Sequence, residues 1–317
     1  MSVLLETVNL KKYFDTPAGK LHAVDDINFT IEKGETLGVV GESGCGKSTL
    51  GRTILRLVEP TSGKIIFNGK DICALTPKEL KKARTDMQII FQDPYSSLDP
   101  RMSVKELIKE PLLIYKMYGS NAEREKAVLS LMDKVGLARR FADSYPHELD
   151  GGRRQRIGVA RALALNPQFI VCDEPVSALD VSIQAQILNL LMDLQDELGL
   201  TYMFITHDLS VVRHISNHIM VMYLGQCIEK APAEEIFSNP LHPYTQALLS
   251  AIPKTDLSYR TQKKKIIHGE VVSPVNPTPG CRFAARCEHC TAKCTGHDFA
   301  LRELSPNHFV ACSLYEK

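Results

Sequence analysis

Gly41-Glu42-Ser43-Gly44-Cys45-Gly46-Lys47-Ser48-Thr49 separates an apolar run, Leu37 to Val40, from Leu50 to Val58, where Ile54, Leu55 and Val58 recur at helical spacing. Strand, glycine-rich loop, helix is the setting in which a G-x-x-x-x-G-K-[ST] match carries weight. Gly41, Gly44 and Gly46 permit tight bends and close approach to an anion, so that N–H groups and the positive end of the helix converge on phosphate. Lys47 reaches the outer phosphates as a point charge, and the Ser48 hydroxyl is suited to ligate Mg²⁺. The stretch implies a nucleoside triphosphate site.

Around that loop, 317 residues leave room for about two domains. With 44% apolar and 24% charged residues, the composition is that of an ordinary globular protein. The 38 basic and 37 acidic residues give a net charge of +1, so no overall basic field favours nucleic acid, and no such partner is expected. Met1 to Glu6 does not read as a secretion signal. No window approaches the roughly eighteen uninterrupted apolar residues of a membrane span, so a role at a membrane is expected to run through partners. Cys45, Cys73, Cys172 and Cys227 are scattered and read as small hydrophobes in a reducing compartment, whereas Cys281, Cys287, Cys290, Cys294 and Cys312 crowd the tail.

Residues 3 to 36 read as short strands and turns, with Tyr13-Phe14 closing one run and Val24 to Ile31 alternating like a half-buried strand. Lys64 to Gly69 reads as a strand closed by an Asn-Gly turn, and Met87 to Gln92 as a strand that leaves Gln92 at its edge, where its amide could orient a metal ion or water. From about 103 to 148 the periods become helical. That region closes on Leu149-Asp150-Gly151-Gly152-Arg153 before a helix from Ile157 to Leu165, a second glycine loop at a helix start and so a second potential phosphate contact.

Gln168 to Cys172 reads as a buried strand ending in two carboxylates. Asp173 is suited to hold Mg²⁺, and Glu174 to polarise an attacking water. Ser177-Ala178-Leu179-Asp180 then turns into an amphipathic helix that carries Ile183, Ile187, Leu190, Leu191, Leu194 and Leu198 on one stripe and stops at Gly199. The next strand, Thr201 to Ile205, ends at Thr206-His207, beside the crevice where ligands bind in α/β sheets.

Taken together, these stretches resemble an ATP-binding cassette ATPase over essentially the whole chain. The resemblance implies an α/β P-loop core with an N-terminal antiparallel β subdomain, an inserted helical subdomain at about 100–155 and a C-terminal cysteine-rich extension. Its expected division is 1–253 for the nucleotide-binding domain and 254–317 for linker and extension. It assigns Phe14, with Tyr13 beside it, to the adenine-stacking loop, Gln92 to the loop that senses nucleotide and contacts the membrane partner, and His207 to the γ-phosphate switch. Glu174, His207 and Gln92 form the expected catalytic set, and Ser48, Gln92 and Asp173 the Mg²⁺ set. Leu149 to Arg153 is the matching signature loop, and Asp180 ends the turn after the catalytic strand. Two such subunits sandwich two ATP molecules, each P-loop completed by the other's signature loop.

Ile89 to Arg101, His242-Pro243-Tyr244-Thr245-Gln246-Ala247-Leu248-Leu249 and the cysteine tail narrow the resemblance to the ATPase subunits of bacterial oligopeptide, dipeptide and nickel importers. That implies a second ATPase subunit, two permeases, an extracytoplasmic solute-binding protein and a position at the cytoplasmic face of the membrane. Peptide is the expected cargo. Nickel import and a soluble, non-transport cassette ATPase are the alternatives.

The family's signature loop is Leu-Ser-Gly-Gly-Gln, and this chain departs from it at Asp150 and Arg153. An ionised carboxylate donates no hydrogen bond, and like charges 4 Å apart repel by roughly 4 kcal/mol at an intermediate dielectric. The expectation is a degenerate site on the partner's P-loop and an asymmetric heterodimer, unless Arg153 pairs with Asp150 or contacts phosphate, or Asp150 points away. In the tail, Lys263-Lys264-Lys265 reads as a solvated charge run, followed by a Pro-rich extended segment. Four thiolates suit zinc or an iron–sulfur cluster, and spacing alone does not separate them. The resemblance matches Cys281, Cys287, Cys294 and Cys312 to a [4Fe–4S] cluster, with zinc as the alternative, reduced metal-free thiols third and Cys290 as an extra.

Overall fold

A computed structural model describes residues 2–252, 269 and 272–316; the Lys263–Lys265 run and the 253/254 boundary lie outside them. Strands β1 (Val3–Thr16) and β2 (Gly19–Glu32) are 14 residues each, where the spacing predicts short strands. Asn9 and Asp26 within them adopt positive φ, and such irregularities interrupt the alternation by which a long strand is read. β3 (Thr36–Val40), buried at all five positions, feeds the glycine loop and α1 (Lys47–Ile54). β4 (Ser62–Phe67) and β5 (Lys70–Asp71) meet at Asn68-Gly69, both at positive φ, as a two-residue Asn-Gly turn requires.

Helix α2 (Pro77–Ala83) starts on a Thr76/Glu79 capping box and leads to β6 (Met87–Ile90) and the single turn α3 (Pro94–Ser97). The helical insertion follows, with α4 (Val104–Ile114) and α5 (Asn121–Lys134) burying Leu107, Ile108, Leu112, Val128 and Met132. After α6 (Gly151–Leu163) come β7 (Phe169–Asp173), α7 (Val181–Leu198) and β8 (Thr201–Ile205). Gly199 ends α7 in the left-handed conformation, as its place in the sequence predicts. The chain continues through α8 (Leu209–Ile215), β9 (His218–Tyr223), β10 (Gln226–Pro232), α9 (Ala233–Ser238) and α10 (Pro243–Ser250). The tail adds a hairpin, β11 (Arg302–Ser305) and β12 (His308–Val310), which has no counterpart in the sequence expectation.

The architecture is α/β. One compact unit contains Glu32–Glu35 and Ala74–Ile205. Its strands run β8-β7-β6, all parallel, in register from Met87↔Phe169 and Phe169↔Thr201 to Asp173↔Ile205. β7 and β8 are buried at every residue, the pattern of a sheet covered on both faces. The other unit contains Ser2–Ile31, Thr36–Cys73 and the chain from Thr206 onward. It holds the four-stranded sheet β2-β1-β4-β5 and the strands β11-β12-β10-β9-β3. There β3 and β9 are parallel, Leu37↔His218 to Val40↔Val221, and β12 pairs antiparallel with β10. The tail hairpin is thereby built onto the same run of strands that carries the glycine loop.

Candidate nucleotide site

The glycine loop leaves β3 at Gly41 and enters α1 at Gly46, whose φ is 104°. A Cβ at Gly46 would lie 2.0 Å from the Ala23 carbonyl oxygen, so both backbone shape and close packing demand glycine there. As the N-cap of α1, Gly46 has no side chain with which to occupy the first-turn N–H groups, and these are the donors an anion would use. The Lys47 side chain is buried and curls over the loop, donating from Nζ to the carbonyls of Gly41 (2.8 Å) and Glu42 (2.9 Å). Ser43 and Gly44 form the exposed tip, Cys45 is buried beneath it, and Ser48 and Thr49 lie half-buried in the first helical turn. Burial pushes the Cys45 thiol up, so it packs as a small hydrophobe, as expected.

Glu42 is anchored at three points. Its N–H donates to Tyr244 Oη (2.9 Å), its carbonyl accepts from Lys47, and its carboxylate takes both arms of the Arg286 guanidinium, at 2.8 and 3.2 Å. Tyr244 belongs to the His242–Leu249 segment, and Arg286 to the cysteine tail. Neither carries a local sequence signal of a site role. The signal available for Tyr244 is that a buried tyrosine hydroxyl needs a partner.

On the side expected to meet adenine, Tyr13 and Phe14 lie half-buried near the end of β1. The Tyr13 ring stacks on His22, with centroids 3.9 Å apart, and its hydroxyl bonds to Asp25. Phe14 carries the Lys12 ammonium over its face at 4.7 Å. Burial and the bond to Asp25 push the Tyr13 phenol above its ordinary range. For Asp25, burial favours the neutral form, but Tyr13, His22 and Arg282 outweigh it and hold the carboxyl below the usual carboxylate range.

In the unit of Ala74–Ile205, Asp173 is the last residue of β7 and is buried. Glu174 follows at φ 48°, a left-handed conformation rare for a residue with a Cβ, and its N–H is held by the Ile205 carbonyl at 2.9 Å. Its carboxylate accepts from Gln92 Nε2 at 2.9 Å. The strand-end glutamine and strand-end glutamate therefore meet, a juxtaposition that orients one carboxylate oxygen. His207 is exposed, directly beyond Thr206, whose N–H donates to the Val39 carbonyl at 3.1 Å.

The segment Leu149 to Arg153 differs from its expected form, because the helix begins at Gly151 and includes both glycines. Asp150 is the N-cap: its carboxylate accepts from the Arg153 N–H at 2.8 Å and pairs with the Arg153 guanidinium at 2.8 Å. The negative charge from which repulsion was expected is thus paired within the loop. Leu149 is buried, and a Cβ on Gly152 would lie 2.7 Å from Ile183 of α7, so glycine is what lets α6 and α7 approach. Asp180 is the exposed N-cap of α7, without a side-chain cap bond.

In the tail, Cys281, Cys287 and Cys312 are half-buried. Burial pushes the Cys281 thiol up to about 12 and raises Cys287 and Cys312 as well. Cys294 is different: burial opposes its ionisation, yet bonds from Ser313 (3.1 Å) and Thr291 hold it below the ordinary thiol value. Among the described residues no three His, Cys, Asp or Glu side chains are gathered into a metal ligand set. The Cys294 sulfur is engaged by Ser313 and Thr291. Cys290 is exposed. No helix among the described residues is long and apolar enough to cross a membrane.

A family profile described as "ABC transporter" matches residues 24–177, and one described as "Oligopeptide/dipeptide transporter, C-terminal region" matches residues 228–294. The chain is 51% identical to the oligopeptide transport ATP-binding protein AppF of Bacillus subtilis, covering 98% of this chain and 97% of that protein. It is 50% identical to the dipeptide transport ATP-binding protein DppF of Escherichia coli, covering 98% and 93%. Among solved structures, the dimeric post-hydrolysis state of the ATP-binding cassette MJ0796, bound to ADP and Pi, superposes with a TM-score of 0.67 and 32% identity. It covers 73% of this chain and 99% of that one.

Proposed function

The chain belongs to the ABC transporter family, as an ATP-binding subunit of the oligopeptide/dipeptide type, and on that premise we propose that it hydrolyses ATP to drive uptake of peptides through separate permease subunits. The observation that carries this reading is the loop Gly41–Thr49, with Lys47 folded over it and α1 uncapped by any side chain, in a chain that matches peptide-importer ATPases over nearly its full length. Mg²⁺ would be held by Ser48, Asp173 and Gln92, and supplies charge neutralisation for the phosphates. Glu174, fixed at one oxygen by Gln92, orients the attacking water and receives its proton. His207 would contact the γ-phosphate, Tyr13 and Phe14 the adenine, and Leu149 to Arg153 the nucleotide bound by a partner ATPase.

The partner is proposed to be a second, different ATPase subunit. The complex is proposed to sit at the cytoplasmic face of the membrane, with a solute-binding protein delivering cargo from outside. The Asp150–Arg153 pair supports a signature loop that works without a large electrostatic handicap. For the tail we propose a soft metal centre on Cys281, Cys287, Cys294 and Cys312, a [4Fe–4S] cluster ahead of zinc; the chemistry of four thiol ligands supports it. Iron, zinc and sulfide analysis of anaerobically purified protein distinguishes the two.

The test of the main reading is ATP turnover by the chain assembled with its permeases and partner ATPase in vesicles. Peptide-loaded binding protein is expected to stimulate turnover, and Glu174→Gln to lower it by about 100-fold or more while ATP still binds. Stimulation by nickel-loaded but not peptide-loaded binding protein would replace the peptide reading with the nickel one. Failure to assemble with any permease would favour a soluble cassette ATPase.

A further inference from the structure

We propose that Arg286, with Arg282, is a positioning residue of the nucleotide site, so that the cysteine-rich tail forms part of the apparatus that recognises ATP. The inference rests on the Gly41–Thr49 loop being an ATP site. Glu42 places a carboxylate on a loop whose task is to receive phosphates, and an uncompensated charge there opposes binding. Arg286 cancels it with a two-armed bond and donates to Tyr223 Oη at 3.1 Å, with its side chain only 8% exposed. A bidentate guanidinium fixes direction as well as charge.

The surroundings are built to hold this contact. Phe283, 2% exposed, meets the rings of Tyr223 and Tyr244 edge-on at 5.3 Å each, and Tyr244 is the residue that holds the Glu42 N–H. A second tie lies four residues earlier. Arg282, 6% exposed in its side chain, pairs with Asp25 and donates to the Leu224 carbonyl. Asp25 in turn holds the Tyr13 hydroxyl and His22 Nδ1. One short tail segment, Arg282 to Arg286, thus grips the phosphate loop through one arginine and the aromatic end of β1 through the other. Cys281 and Cys287 bracket it in the sequence.

MgATP affinity of the full-length chain, with KM and kcat in the assembled transporter, tests this for R286M, R286K, E42Q and the double variant E42Q/R286M. R286M is expected to weaken MgATP binding by about 10- to 100-fold, chiefly in KM, because it leaves the half-buried Glu42 beside the phosphates without a counter-charge. E42Q/R286M removes that charge and is expected to return affinity to within about threefold of wild type, which repacking alone would not do. R286K keeps the charge without the fork and falls between. R286M or R286K binding MgATP as wild type does would overturn the inference, as would a stably folded double variant no tighter than R286M. A wild-type chain that binds no MgATP would instead overturn the reading of the loop itself.

Discussion

Glu229→Gln is expected to cost substantial stability although it alters a single atom's chemistry. Glu229 is fully buried on β10, and both carboxylate oxygens are in use. Oε1 accepts from the Leu241 N–H at 2.7 Å and from His308 Nε2 at 2.8 Å, and Oε2 accepts from the His242 N–H at 2.9 Å. Glutamine preserves the shape and one acceptor, but its amide nitrogen must face an N–H. One buried donor is orphaned, which costs about 1–3 kcal/mol, and the remaining bonds lose the assistance of the charge. The sum is about 2–4 kcal/mol, distributed between the turn before α10 and the tail hairpin docked through His308. Urea unfolding of the purified full-length chain measures it, and limited proteolysis of the tail locates it. An E229Q variant within about 0.5 kcal/mol of wild type, with the tail equally protected, would show that the carboxylate does not organise this junction.

Two further outcomes are expected. Asp150→Ser keeps the N-cap of α6 and should alter turnover of the assembled transporter by less than about threefold, whereas Arg153→Gln strands the carboxylate and should lower turnover by about tenfold. A tenfold gain from Asp150→Ser would mean that the carboxylate repels nucleotide despite its partner. His242, which caps α10 through Nδ1, is driven down to about 4 by burial, with the charge of Glu229 opposing. The folded protein therefore binds fewer protons than the unfolded chain between that value and the ordinary 6.5. This contribution is complete above about pH 6.5 and is lost as pH falls toward 4, at most about 3 kcal/mol. His242→Asn, which retains a capping oxygen, should flatten the fall in urea midpoint over that window; an unchanged slope would remove His242 from the acid response.

What was legible in the sequence was local. The glycine loop, the Asn68-Gly69 turn and the Gly199 stop each declare themselves within a few residues, because backbone conformation there depends on residue type. Gln92 and Glu174 could be nominated separately as strand-end groups, but their hydrogen bond spans 82 residues and depends on adjacent parallel strands. The long strands β1 and β2 were obscured because Asn9 and Asp26 break alternation without breaking the strand, and because pairing of β1 with β4 shifts register between Val8 and Lys11. Asp150 is a charge in the sequence but first a helix cap in the fold; Asp is among the best residues for that position, and the arginine three residues on is the local clue to its pairing. Arg286, 244 residues from Glu42, offered no pattern by which a pairing could be inferred.

The two salt links from the tail also limit how the molecule can be recombined. Asp25 and Glu42 near the start of the chain are matched to Arg282 and Arg286 near its end, so a chimera that exchanges the last third between related ATPases exchanges half of each pair. Where the recipient lacks the matching acid or base, the graft introduces an unpaired, partly buried charge beside the phosphate loop, even if every motif residue is intact. Tail swaps intended to alter metal content or partner choice should therefore carry these four positions together.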